Sequence, residues 1–345
     1  MRILMTGFTP RGVGSQKLLY SYMSNTSVII KVLKALGHEV DQRIVDVDEP
    51  LKDKYDIALV GIAVPQSLSS RFVYGALWAA EEFGPERTRF YVDDWLLGQL
   101  QGQLESALRN PEKRFYSLDN RHCYELARKK TDTWIKWFKF LSKAKYEVLI
   151  PAFKWAKPRI LLPRLDNIKP VIFDPTPLAL IDPEVLCGSP GKIDFEPLPP
   201  DVRERKWTIA AMRDIQDWYK KQVFSWPVEV MGNKRQGQNI ISERELLDLY
   251  CTRWGVVGAP YPLVTAGGGW RARFIHAAVT RSILYLDADE GRTAGPPYNL
   301  YRTQVEKASN DELLDIAMKQ RDWLINQTMT MDELHESLNN YVRGT

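Results

Sequence analysis

The sequence is poor in several things that would have placed it quickly. It has three cysteines in 345 residues, Cys123, Cys187 and Cys251. They are widely separated, make no metal-ligand spacing and leave an odd thiol. No disulfide framework is read, and a reducing compartment, the cytoplasm, is expected. No apolar run approaches the roughly 20 residues of a membrane helix, and the apolar start at Met1 is broken too soon for a signal peptide. No membrane partner is therefore expected. Internal repeats and low-complexity tracts are absent. Charge of one sign is lacking too: 47 Lys and Arg against 43 Asp and Glu leave a net +4, so a nucleic-acid partner must be argued from where charge sits. What is present, 44% hydrophobic and 26% charged residues, suits a globular chain long enough for two α/β domains with separate cores.

The stretch from Gly267 to Glu290 organises the rest. Gly267, Gly268 and Gly269 lead through Trp270 into Arg271 and Arg273. Small residues Ala272, Ala277 and Ala278 follow on a helix, then a β-branched and aromatic strand over 282–286 that ends in Asp287 and Asp289. A loop, helix and strand in this order can hold an anion. Free N–H groups at a helix N-terminus attract phosphate, glycine permits close approach, and Arg271 or Arg273 adds a charge-assisted contact. The competing reading is an ordinary helix whose arginines face water.

Taken in order, residues 2–6 read as a buried strand, followed by a glycine-bearing loop and a helix over 26–36 that stops at Gly37. Strands over 38–45, 55–64 and 89–92, with a helix over 72–83, complete a doubly wound opening unit. Gly12 and Gly14 lack the third glycine of a dinucleotide fingerprint, so NAD binding is not read. Ligands of open α/β sheets lie beyond the carboxyl ends of strands. Asp94, at the end of the fourth strand, is therefore a candidate general base, against the plain reading of a helix cap. Over 128–159, Lys129, Lys130 and Lys136 interleave with Trp134, Trp137 and Phe138. That pattern is a core-facing aromatic stripe whose wet side also suits a phosphate backbone.

Prolines crowd residues 174–205, read as the connection between domains. A second unit follows, with strands over 207–211, 228–231 and 255–258, the second ending in Gly232 and Asn233. Helices open with capping boxes at Ser242, Ser309 and Thr330. The expected domains are 1–173, an N-terminal Rossmann-like acceptor-binding domain; 174–205, the connection; and 206–345, a C-terminal Rossmann-like donor-binding domain with the terminal helices.

Two Rossmann-like halves, an anion-binding loop and helix in the second and a carboxylate at a strand end in the first resemble the two-domain (GT-B) nucleotide-sugar glycosyltransferases, whose domains face each other across a cleft. More narrowly, the chain resembles the family of T-even phage DNA β-glucosyltransferases, which glucosylate 5-hydroxymethylcytosine in duplex DNA from UDP-glucose. The series of matching segments runs in order through nearly the whole length. Phe90 to Asp94 sits where the family has an aromatic strand ending in its catalytic Asp. Ile193 to Pro199 resembles the entry to the second domain. Ile209 to Arg213 resembles the strand and loop whose Arg holds the diphosphate, and Glu229 to Asn233 a strand end beside the donor. Trp270 to Asp287 aligns with the helix whose first Arg binds phosphate, here Arg273. Two departures bear on the identity of the donor: His276 replaces a Glu that binds ribose, and Asn25 replaces an acid that precedes the first helix.

The resemblance implies an inverting hexosyltransferase that moves a sugar from a UDP-sugar onto the hydroxyl of a 5-hydroxymethylpyrimidine in duplex phage DNA, which protects that DNA from host nucleases. Asp94 would be the base. Arg213, Gly232, Asn233, Gly269, Arg271, Arg273 and His276 would bind the donor, and Lys129, Lys130 and Lys136 the DNA. A monomer is expected. Assistance by Mg²⁺ or Mn²⁺ stays open, with no metal ligands assigned. Three other readings compete: the same fold acting on a polysaccharide or lipid-linked acceptor; a metal motif at Asp287 and Asp289, as in single-domain glycosyltransferases; and a DNA-binding or phage assembly protein with a dead site.

Overall fold

The computed structural model describes residues 1–6, 22–43, 45–46, 48–61, 70–91, 145–154, 168–182, 195–210, 222–231, 243–258, 272–286, 291 and 294–344. Two parallel sheets organise them. The first has strands β1 (Arg2–Thr6), β2 (Glu39–Gln42), β3 (Ile57–Gly61), β4 (Thr88–Tyr91), β5 (Tyr146–Pro151) and β6 (Ile168–Phe173), in the order β2-β1-β3-β4-β5-β6. The second has β7 (Glu204–Ala210), β8 (Val228–Met231), β9 (Arg253–Gly258) and β10 (Ile283–Leu286), in the order β10-β9-β7-β8. The expected fold class, two doubly wound α/β units, is what the chain builds.

Parallel sheets need both faces covered, and the period-2 alternation of the strands meets that need. On one face of the first sheet Leu4, Ala58, Val60 and Phe90 pack on Ala76, Ala79, Ala80 and Phe83 of α2 (Ser70–Arg87). On the other, Ile3, Met5, Ile57 and Leu59 pack on Val28, Ile29, Val32 and Leu33 of α1 (Tyr22–Ala35). Helix α1 ends as its glycine predicts. Gly37 takes φ +80°, its N–H bonds Lys34 O and the His38 N–H bonds Leu33 O, each at 3.0 Å, which is the Schellman arrangement. Helix α2 outruns its expected end through a break at Gly84 (φ 68°) followed by Pro85.

Part of the expected connection over 174–205 is helical. Residues 168–173 form β6, and Thr176–Ile181 form a helix, α3, with Pro177 in its first turn. The second sheet is covered by α4 (Glu243–Cys251), α5 (Ala272–Thr280), α6 (Arg302–Lys307) and α7 (Asn310–Gln327). Its edge strand β10 is sealed by the buried Gln320 of α7, whose amide exchanges two 2.9 Å bonds with Leu284 N–H and C=O, as another strand would. The capping boxes at Ser309 and Thr330 both form.

The last helix, α8 (Met331–Arg343), departs from the expected grouping of 206–345. It returns to the first sheet, where Leu334, Leu338, Tyr341 and Val342 join the α1 core. The single Tyr341 O–H is within hydrogen-bond reach of both Phe90 O and Glu147 O, and Arg89 Nε donates to Tyr341 O at 3.0 Å. The two units also share a core: Ala152, Phe153 and Ala179 of the first pack with Phe274, Ala277 and Ala278 of α5.

Candidate functional site

Strand order locates the ligand crevices. In the second sheet the chain runs from β7 outward to β8, then returns to the other side of β7 for β9 and β10. Neighbouring loops therefore diverge at the carboxyl ends of β7 and β9, leaving a crevice there. Strand β9 is buried along its whole length and ends at Gly258, where a Cβ would stand 2.6 Å from Leu286 Cδ2. In the first sheet the same divergence falls between β1 and β3.

One expected site residue is placed at this crevice. Arg273, half-buried in the first turn of α5, donates from Nη2 to Ala210 O, the last residue of β7. Among the described residues no other group engages its guanidinium. The helix begins at Ala272, so its first-turn N–H groups point toward the same edge as this cation. His276, one turn on, is 3% exposed with its ring 6.3 Å from that of Tyr250. It belongs to the buried face between α4 and α5. Asn25 lies inside α1 rather than before it, because that helix begins at Tyr22.

Asp94, Arg213, Gly232, Asn233, Gly269, Arg271, Lys129, Lys130 and Lys136 lie outside the described residues, as do Asp287 and Asp289. The strands that lead to them are placed: β4 ends at Tyr91, β7 at Ala210 and β8 at Met231. Among the described residues no group of three or more His, Cys, Asp or Glu could hold a metal ion, and no helix is long and apolar enough to cross a membrane.

Electrostatics at the opposite, amino edge of the second sheet are self-contained. Arg203 donates to Arg281 O (2.6 Å), Thr280 O (2.7 Å) and Tyr250 O (3.2 Å), carbonyls at the C-terminal ends of α5 and α4. Its guanidinium lies 4.6 Å over the Trp254 ring. Burial pulls its pKa down to about 10, still far above neutrality, so a full charge caps two helix C-termini. The buried Cys251 thiol is pushed up to about 11 by burial, which leaves it an inert thiol.

One acid escaped the sequence reading. Asp174 directly follows β6 and is completely buried, and desolvation raises its pKa from 3.8 to about 6. Its signal was an acid placed straight after the apolar run Val171, Ile172 and Phe173, but the prolines beyond it make it read as the start of a linker.

Taken together, the sheets, the crevice at β7 and β9 and the arginine set there define a two-domain, doubly wound α/β protein with a candidate anion site at a topological switch point. No protein-family model matches the chain, and no curated protein matches it. Among solved structures it is similar to T4 phage BGT in complex with UDP and Mn²⁺, at 12% identity over 99% of this chain and 96% of that one, with a TM-score of 0.49. It is also similar to the glycosyltransferase SnogD from Streptomyces nogalater, at 13% identity over 100% and 99% of the two chains, with a TM-score of 0.35.

Proposed function

We propose that this protein is a nucleotide-sugar glycosyltransferase whose acceptor is the hydroxyl of a 5-hydroxymethylpyrimidine in duplex DNA. The observation that carries the donor half is the Arg273 guanidinium, tethered to the carboxyl end of β7 beside the start of α5. A fixed cation beside the first-turn N–H groups of a helix at a switch-point crevice suits a diphosphate. The acceptor half rests on the ordered resemblance of the sequence.

The chemistry is a direct displacement. Asp94 takes the proton of the acceptor hydroxyl, whose oxygen forms a bond to the anomeric carbon as the bond from that carbon to the diphosphate oxygen breaks. UDP leaves with the bonding pair, and the sugar inverts. An alkyl hydroxyl is a weak nucleophile at neutral pH, so a positioned base is required. Arg273, Arg213 and the N-terminus of α5 stabilise the charge that develops on the leaving group. A target base inside a duplex must be flipped out to reach Asp94, with Lys129, Lys130 and Lys136 on the phosphates.

The test is incubation with a panel of nucleotide sugars and duplex DNA containing 5-hydroxymethylcytosine or 5-hydroxymethyluracil, followed by digestion to nucleosides and mass spectrometry. A hexose mass added to one nucleoside, and lost in Asp94→Ala, is the expected result. If no nucleoside gains mass while a nucleotide sugar is still slowly hydrolysed, the DNA acceptor is wrong and a polysaccharide or lipid-linked acceptor takes its place.

A further inference from the structure

Asp174 has no part in the reaction proposed above, yet it is the most deeply buried acid among the described residues, at 0% exposure. Its carboxylate gathers three separate segments. Oδ1 accepts the Thr176 N–H at 2.9 Å, in the first turn of α3. Oδ2 accepts the Lys154 N–H at 3.3 Å, beyond the end of β5. The Met329 N–H, in the crossover from α7 to α8, donates to the same group. Lys154 contacts it through the backbone alone, because its Nζ is paired with Glu333 at 2.6 Å.

These segments are the places where the two units join. Lys154 follows Ala152 and Phe153, which lie in one core with α5, and the Phe153 ring is 5.1 Å from that of Phe274. Helix α3 packs on α5 and adds Ala179 to that core. The crossover, extended at Thr328 (ψ 167°) and Thr330 (ψ 165°), carries the chain from the second sheet back to the first. Phe274 is the neighbour of Arg273, so the surface organised by Asp174 is the one on which the arginine-bearing helix rests.

The residue type fits this task and no simpler one. An ionised carboxylate only accepts, and has room for about four hydrogen bonds. A buried carboxylate without a cation is a poor stabiliser, since its desolvation opposes the fold. Its presence is explained by the three N–H groups it holds in register. Asparagine has the same size but one accepting oxygen, and its NH₂ would face an N–H.

We propose that Asp174 is a positioning residue for the nucleotide site: by holding Lys154, Thr176 and Met329 together it fixes the seat of α5 and thereby the placement of Arg273 against the first unit. Only the last link, to nucleotide, rests on the function proposed above.

The experiment compares the full-length wild type, Asp174→Asn and Val60→Ala, the last removing packing from the α2 face of the first sheet. Hydrogen–deuterium exchange at pH 7.5 is read by peptide, and UDP binding by calorimetry. Asp174→Asn is expected to speed exchange about tenfold over 152–154, 174–178, 272–276 and 326–332, with β1, β3 and β9 unchanged. UDP affinity falls about fivefold as the competent arrangement is depopulated. Val60→Ala loosens α2 and leaves UDP affinity alone. Wild-type exchange in Asp174→Asn, or a rise spread evenly over the first sheet, overturns the proposal. So does loosening at the junction with UDP affinity intact. If the wild type binds no UDP, the function above fails, and faster exchange over 272–276 alone decides whether Asp174 seats α5.

Discussion

The two ends of the second sheet each present an arginine to backbone carbonyls, and the two arginines are used in opposite ways. At the amino end Arg203 spends its guanidinium on three carbonyls and the Trp254 face. Around it the buried Trp207 stacks on Trp226 at 5.1 Å and donates to Glu306, which also holds the N–H groups of Ser225 and Trp226. At the carboxyl end Arg273 makes one bond among the described residues, to Ala210 O. A cation bonded to several buried backbone carbonyls stabilises a fold; under the function proposed above, the cation at the other end is aimed at the donor. On that proposal, stability and recognition are separated along one sheet.

The largest expected effect is at Asp94, which follows β4 in the sequence. Asp94→Asn should lower turnover about 10³-fold, the scale of a lost general base. It should leave the urea midpoint and UDP affinity near wild type. Single-turnover assays with radiolabelled donor measure it, and a loss under about tenfold would move the base elsewhere.

The amino end should respond in stability alone. Arg203→Ala removes the cap from the carbonyls of Thr280 and Arg281 and leaves Tyr250 O to the Ser282 hydroxyl, at a cost of about 3 kcal/mol. Urea unfolding reads this from the midpoint, and UDP affinity of the folded protein should hold. Arg273→Ala should do the reverse: UDP affinity weaker by about 30-fold, near 2 kcal/mol for a charge-assisted contact, with stability changed by less than about 0.5 kcal/mol. If the two substitutions produce the same pattern, the division between the two ends is wrong.

The legible parts of this molecule were those set by local chemistry. The Gly37 stop, the strand over Val228–Met231 and the capping boxes at Ser309 and Thr330 depend on residues within one turn of each other. Strands β5 and β6 were not read, because Val148, Leu149 and Ile150, buried on both faces, and Val171, Ile172 and Phe173, buried or half-buried, are short apolar runs with no period to betray them. The return of α8 is a tertiary choice: its apolar stripe specifies a partner surface but not whose. At the candidate site, the glycine and arginine pattern singled out Arg273 as an expectation, whereas its tether to Ala210 and the burial of His276 appear only once the fold is known. Asp174 was hidden for the same reason, since one of its three partners, Met329, lies near the far end of the chain.

The smallest effect concerns that junction and has a definite sign. Burial raises the Asp174 pKa from 3.8 to about 6, so the folded protein binds its proton more tightly than the unfolded chain does. The stabilisation this represents is fully present below pH 3.8 and is lost as pH rises through about 6. Between pH 7 and pH 5 the group should therefore add about 1 kcal/mol to wild-type stability. Asp174→Asn cannot titrate, so the wild type should gain that amount relative to the variant as pH falls, whatever the other acids do to both. Paired urea titrations at the two pH values read the difference directly. A difference that stays constant would mean that the carboxylate is already compensated in the fold, and the separation of stabilising from aiming charges would then extend to the first sheet as well.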